Sequence, residues 1–209
     1  GIARSGIYTY NLKPKGATYA IADAKPFLTS ALPTDVKFGP DGRLYTSDWA
    51  DGWPKSARGR IYAISDPLHA NDPIIKETQK LIGGDWTKKT AEEIALLYLG
   101  HPDWRVRLEA QYTLAERGDA KTLRGVLATT DQSQFAYLHA IWGLGQLADK
   151  SASALDTLRS HLAATDLVYP EVRAQAAKII GDHHVADQAD ALIVALNDKN
   201  ARVKFFAAQ

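Results

Sequence analysis

Two carboxylates, two tryptophans and two cations crowd the short stretch from Asp48 to Gly59, as Asp48, Trp49, Asp51, Trp53, Lys55 and Arg58. Each type brings its own chemistry. Asp48 and Asp51, with a turn carbonyl at Gly52, offer part of an oxygen shell for a hard cation such as calcium, short of the further spaced oxygens of a full calcium loop. Trp49 and Trp53 carry flat faces that stack on a sugar ring or a cofactor. Lys55 and Arg58 complement an anionic cofactor, and Asp35 has the chemistry of a base or a substrate-orienting carboxylate. Plainer structural roles compete with each: a hydrogen-bonded loop, packed rings, solvated cations and a turn-capping aspartate. Asp35, Asp48, Trp49, Asp51 and Arg58 are therefore the candidate cofactor- or substrate-binding residues. None is assigned a catalytic step or a metal-ligand role.

Other reactive types are scattered. His183 and His184 are adjacent, a spacing that seldom points two imidazoles at one ion, so an exposed loop is the simpler expectation. His101 and His139 read as core or surface residues of helices. Arg105, Arg107, Arg173 and Arg202 recur near helix starts, either as a binding stripe or, more simply, as bridges to acids of neighbouring helices. No Ser-His-Asp set, phosphate loop or His-Glu-x-x-His motif is present.

Strand residues position the Asp48 loop. Ser5–Leu12 alternates Ile7, Thr9 and Asn11 against Tyr8, Tyr10 and Leu12. Lys13-Pro-Lys-Gly16 reads as a turn and Thr18–Ile21 as the returning strand. Asp35–Phe38 puts Val36 and Phe38 on one face, Asp41-Gly42 marks a tight turn, and Leu44–Ser47 returns. The long Asp48–Gly59 loop then leads to Arg60–Ile64. Short antiparallel strands joined by alternating tight and long turns read as most of one blade of a β-propeller, with the Ser30–Thr34 and Asp48–Gly59 loops gathered at one end.

Asp66–Pro73 carries two prolines and breaks the strand pattern. From Thr90 the apolar period lengthens to that of a helix. Thr90-Ala-Glu-Glu93 reads as a capping box. An internal repeat then emerges. Val106, Ala136, Val172 and Val203 align, at separations of 30, 36 and 31 residues, and Ala110, Ala140, Ala176 and Ala207 align with them. First helices are expected over Thr90–Leu99, Ala120–Thr129, Ser153–Ala163 and Ala186–Leu196. A small residue recurring at one helical position lets helices approach closely.

Composition narrows the function classes. The chain has 209 residues, a formal net charge of +1 and no cysteine, which removes disulfides and thiolate metal sites. The first 80 residues hold 11 basic and 8 acidic side chains and the rest hold 14 and 16, so neither part has the basic excess of a nucleic-acid binder. No apolar run reaches the ~20 residues that cross a bilayer. With no methionine and with ends inside expected elements, the sequence reads as an internal piece of a longer protein.

The Ser5-Gly-Ile-Tyr8 opening, the Pro14-Lys-Gly16 turn and the phrase Leu32–Ile64 resemble the propeller of bacterial glucose/sorbosone dehydrogenase-like, quinoprotein-type enzymes. The repeats from Thr90 resemble HEAT repeats of the shorter kind. Large bacterial membrane-bound dehydrogenases combine such parts with a c-type haem domain. The resemblance implies a β + α multidomain chain: a partial β-propeller over 1–68 (last blade and outer strands of the preceding one), a linker over 69–89, and an α-solenoid of about four HEAT-like repeats over 90–209. It implies oxidation of a sugar or alcohol, with quinone (PQQ-like), calcium or c-type haem in the full-length protein and no cofactor held by this segment alone. It also implies a periplasmic or secreted bacterial location, membrane-associated through other parts, and a protein partner on the repeats. Soluble quinoprotein glucose dehydrogenases carry two arginines at positions that here hold Leu32 and Thr34. The alternative expectation is thus a non-enzymatic scaffold that mediates protein–protein assembly.

Overall fold

A computed structural model describes residues 5–50, 58–164, 169–184 and 188–209. The chain divides into two compact units, Gly1–Lys15 with Tyr19–Gly83, and Gly84–Gln209 with Gly16–Thr18.

The first unit holds five strands and one helix. Strands β1 (Gly6–Lys15) and β2 (Thr18–Thr29) make a two-stranded antiparallel ribbon turned at Gly16, whose φ is +61°. The turn comes later than Lys13–Gly16. Pro14 stays within β1, which a two-stranded ribbon tolerates because each strand has an unpaired edge. Tyr8, Tyr10, Leu12, Tyr19 and Ile21 all remain exposed. Strands β3 (Pro33–Phe38), β4 (Leu44–Asp48) and β5 (Arg60–Ile64) form a separate antiparallel sheet in that order. Its register pairs Val36 with Thr46 and Thr46 with Tyr62. Thr46 lies buried on the middle strand, and its hydroxyl donates to the Asp35 carbonyl at 2.8 Å. Helix α1 (Pro73–Ile82) starts with proline, whose fixed φ suits a first helical turn.

At the β3–β4 turn, Gly39 N–H donates to Arg43 O at 2.8 Å and Gly42 N–H to Gly39 O at 3.2 Å. Gly42 has φ +75°, and a Cβ there would lie 2.7 Å from Ile75 Cδ1 of α1. Gly42→Ala is expected to cost about 1–2 kcal/mol from the left-handed backbone alone, read as a lower urea midpoint.

These sheets correct the propeller expectation. The sheets have two and three strands, neither is closed, and no four-stranded blade forms among the described residues. The reason is lateral. Strand alternation and a turn specify a hairpin, but they do not specify which neighbour joins the sheet. Here β2 pairs only with β1, and Ser30, at φ +62°, separates it from β3. The overall architecture is mixed α/β, with small open sheets followed by helices, rather than a propeller edge feeding a HEAT-like solenoid.

The second unit is helical. Helix α2 (Ala91–Glu93) runs into a π-helical turn over Ile94–Tyr98, closed by Leu99 N–H on Ile94 O at 3.3 Å. Then come α3 (Trp104–Glu116), α4 (Ala120–Ala128), α5 (Gln134–Leu147), α6 (Ala152–Ala163), α7 (Pro170–Asp182), α8 (Ala189–Ala195) and α9 (Ala201–Ala208). Polar caps start α3, α4, α5 and α9. Asp103 accepts from Arg105 N–H, Asp119 from Thr122 N–H, Ser133 from Ala136 N–H and Asn200 from Arg202 N–H. Thr90 likewise accepts from Glu93 N–H at 3.1 Å, as the capping-box reading expected. The Glu93 carboxylate goes instead to Lys89 and the Tyr98 hydroxyl. Helices α3, α5, α7 and α9 pack in succession, with α4, α6 and α8 against them. The aligned Val106, Ala136, Val172 and Val203 are all buried in this core, as are Ala110, Ala140 and Ala176.

Candidate functional site

Among the candidate residues of the strand unit, Asp48 is the most constrained. It ends β4 with only 6% of its surface exposed. Its Oδ1 accepts from Leu32 N–H at 2.8 Å and Ala50 N–H at 3.2 Å, and its Oδ2 accepts from the Tyr62 hydroxyl at 3.3 Å. Arg60 stands 4.0 Å from the same oxygen. The Leu32 amide bond is the largest of the effects that hold this carboxylate below the usual aspartate range. Asp48 thus ties the β3 approach to the loop, its oxygens engaged by two amides and the Tyr62 hydroxyl. Asp48→Ala is expected to lower the melting temperature. Because the folded pKa is depressed, the contribution is present above the ordinary aspartate pKa and fades as pH falls through the folded value. Scans at pH 7 and pH 3 check this: wild type and variant should differ less at the lower pH.

Asp35 lies on exposed β3, with Oδ1 accepting from Val36 N–H at 2.8 Å. It pairs with Ser47, one step from the Pro33–Asp48 pair and past a register shift. Trp49 is 41% exposed, and Arg58 is exposed where the chain returns to β5. Asp51, Trp53 and Lys55 lie outside the described residues. A cleft of about 280 Å³ sits instead at the Asp41–Gly42 turn, lined by Arg43, Asp66, His69 and Lys76.

The arginines act as bridges. Arg173 on α7 makes a bidentate pair with Asp198, at 3.1 and 3.0 Å, and both side chains are almost wholly buried. Arg202 on α9 pairs with Glu171 on α7 at 2.6 and 2.8 Å. Arg105 closes on Asp103 at its own helix start. Among the histidines, His183 contacts Asp149 at 2.8 Å, whereas His184 is exposed. Buried His101 accepts from Asp103 N–H at Nδ1. No group of three or more His, Asp or Glu that could hold a metal ion occurs among the described residues.

A relay in the helical unit joins residues that the sequence does not link. Buried Arg107 on α3 donates from Nε to His139 Nε2 on α5 at 3.1 Å. Arginine can only donate, so His139 Nε2 must be the lone-pair nitrogen and the ring proton sits on Nδ1. That proton is donated to Gln111 Oε1 at 2.8 Å. Burial, aided by the Arg107 charge, pushes the His139 pKa down to about 4 and keeps the ring neutral. The Trp142 ring meets the imidazole edge-on at 5.0 Å, and its Nε1–H donates to Gln175 at 3.0 Å. Gln111, Trp142, Gln146, Asp149, Asp182 and His183 line a shallow groove of about 410 Å³ across α3, α5 and α7. Gly145 and Ile179 complete it. A Cβ on Gly145 would come within 3.0 Å of Ile179, so glycine sets the close approach of α5 and α7 there. The bonds that build the relay span 28 and 32 residues. A polar residue at a core position of a repeat was the only advance signal.

Compared with known proteins, the sequence matches no family model and no curated protein. No described helix is long and apolar enough to cross a membrane.

Proposed function

We propose that the chain acts as a protein-binding module, with the α3–α5–α7 groove as its contact face. One observation carries this reading: a buried relay uses two side chains, Arg107 and His139, to fix the orientation of one glutamine that lines an open groove with an aromatic ring and carboxylates. Preorganised polar groups beside an aromatic surface suit recognition more than they suit support of a fold. The test is a photo-crosslinking residue at Gln146, compared with one at Lys121 on α4. Crosslinking of a polypeptide in extracts of the producing cells from position 146, and not from 121, supports the reading. Equal or no crosslinking overturns it.

A second reading, oxidation of a sugar or alcohol by a larger periplasmic protein, keeps one supporting feature: half-exposed Trp49 beside the Asp48–Arg60 pair presents a ring suited to stacking on a sugar. Leu32 and Thr34 do not supply cations for a quinone carboxylate, so a quinone would need other residues. Haem bands together with dye-linked sugar oxidation by the intact protein would support this reading, and a colourless, inert protein would remove it.

A further inference from the structure

We propose that the α3–α5–α7 groove recognises an extended, arginine- or lysine-bearing segment of a partner protein, with the Gln111 amide donating to a main-chain carbonyl and Asp149 and Asp182 receiving the basic side chain. The inference rests on the protein-binding reading of the same groove. Gln111 is only 4% exposed, yet it lines the groove. The Arg107–His139 relay holds its Oε1, so the amide nitrogen is the end presented to a ligand, and no protein acceptor meets it among the described residues. An amide donor that opens on the groove without a protein acceptor favours a ligand that brings one, and an extended peptide brings a carbonyl at every residue. Charge selects the side chain. Asp149 and Asp182 stand at the rim with their side chains 82% and 59% exposed. His183 meets the first and Lys178 the second, but a carboxylate offers roughly four lone-pair sites and accepts a further donor. The Trp142 ring at the groove wall suits the face of a guanidinium or an ammonium stem.

Three fluorescein-labelled ten-residue peptides test this on the full chain by anisotropy, alternating glycine with arginine, with glutamine or with glutamate. The arginine peptide should bind best. Asp149→Asn with Asp182→Asn, both at exposed positions, should weaken it about tenfold. Gln111→Glu keeps an acceptor for His139 but removes the donor, so it should weaken the arginine peptide despite the added negative charge. Tighter binding of that variant would overturn the assignment, because bulk attraction alone would then explain affinity. Equal affinity for all three peptides would also overturn it. A glutamine peptide that binds as well as the arginine one, is lost in Gln111→Glu and is unaffected by the double asparagine variant, leaves the docking face standing and removes the basic class. If no peptide binds and position 146 captures nothing, both readings fall.

Discussion

Arg173→Ala should destabilise the helical unit by about 3–5 kcal/mol, the range for breaking a buried ion pair from one side. The side chains of Arg173 and Asp198 are only 5% and 6% exposed, and the pair is bidentate. Removing the guanidinium leaves a buried carboxylate held only by the Asn200 N–H and the charge of Lys204. Burial by itself would raise the Asp198 pKa, but the Arg173 hydrogen bonds and the Asn200 N–H more than offset it and hold the group below its usual range. In Arg173→Ala the same burial acts unopposed by arginine, so Asp198 should take up a proton at a higher pH. The double variant Arg173→Met with Asp198→Leu should lose far less than the single one, because two apolar side chains leave no stranded charge. Urea unfolding followed by circular dichroism checks both. A loss for the single variant below about 1 kcal/mol, the scale of exposed pairs, would show that the pair is solvated in practice.

Acidification should weaken the same unit before the carboxylates titrate. His139 has a folded pKa of about 4 against an ordinary value of 6.5. A depressed histidine pKa means that the unfolded chain binds the extra proton first. The stabilising contribution is therefore complete above pH 6.5 and is lost as pH falls towards 4. The shift corresponds to about 3 kcal/mol between pH 7 and pH 4, with about 2 kcal/mol already gone by pH 5. The cause is structural as well as electrostatic. A protonated Nε2 can no longer accept from Arg107, and two cations would face each other in a buried site. His139→Gln retains hydrogen-bonding capacity without titrating, so its stability should be lower at pH 7 and nearly flat between pH 6.5 and 5. A wild-type curve that is equally flat in that window would contradict the neutral-ring assignment.

Much of the helical unit could be read in advance, for a local reason. Aligning Val106, Ala136, Val172 and Val203 picks out residues that are all buried, because a helix face repeats with the helical period and needs no distant information. The capping threonine at position 90 follows the same logic, since cap and amide lie three residues apart. Arg173 and Arg202 were legible as bridges, each reaching an acid of another segment, whereas Arg105 closes on its own helix start and Arg107 donates to His139 and not to an acid. The strand unit was read correctly only where pairing is local. The Gly39–Gly42 turn joins β3 to β4, as expected. The grouping of strands into a blade was wrong, because β1 and β2 close on each other and leave a three-stranded sheet.

The candidate site follows the same divide. Residue types alone marked Asp48 as reactive, yet the folded chain buries it and commits its oxygens to Leu32, Ala50 and Tyr62. Conversely, nothing in the types of Arg107, Gln111 and His139 linked them, since contact requires two helices to cross at those turns. What this amino-acid order determined unaided was periodicity, caps and tight turns, all set by interactions within a few residues. Sheet partnership, the fate of each carboxylate and the oriented glutamine in its groove were decided only in three dimensions, where burial and hydrogen-bond geometry depend on residues far apart along the chain.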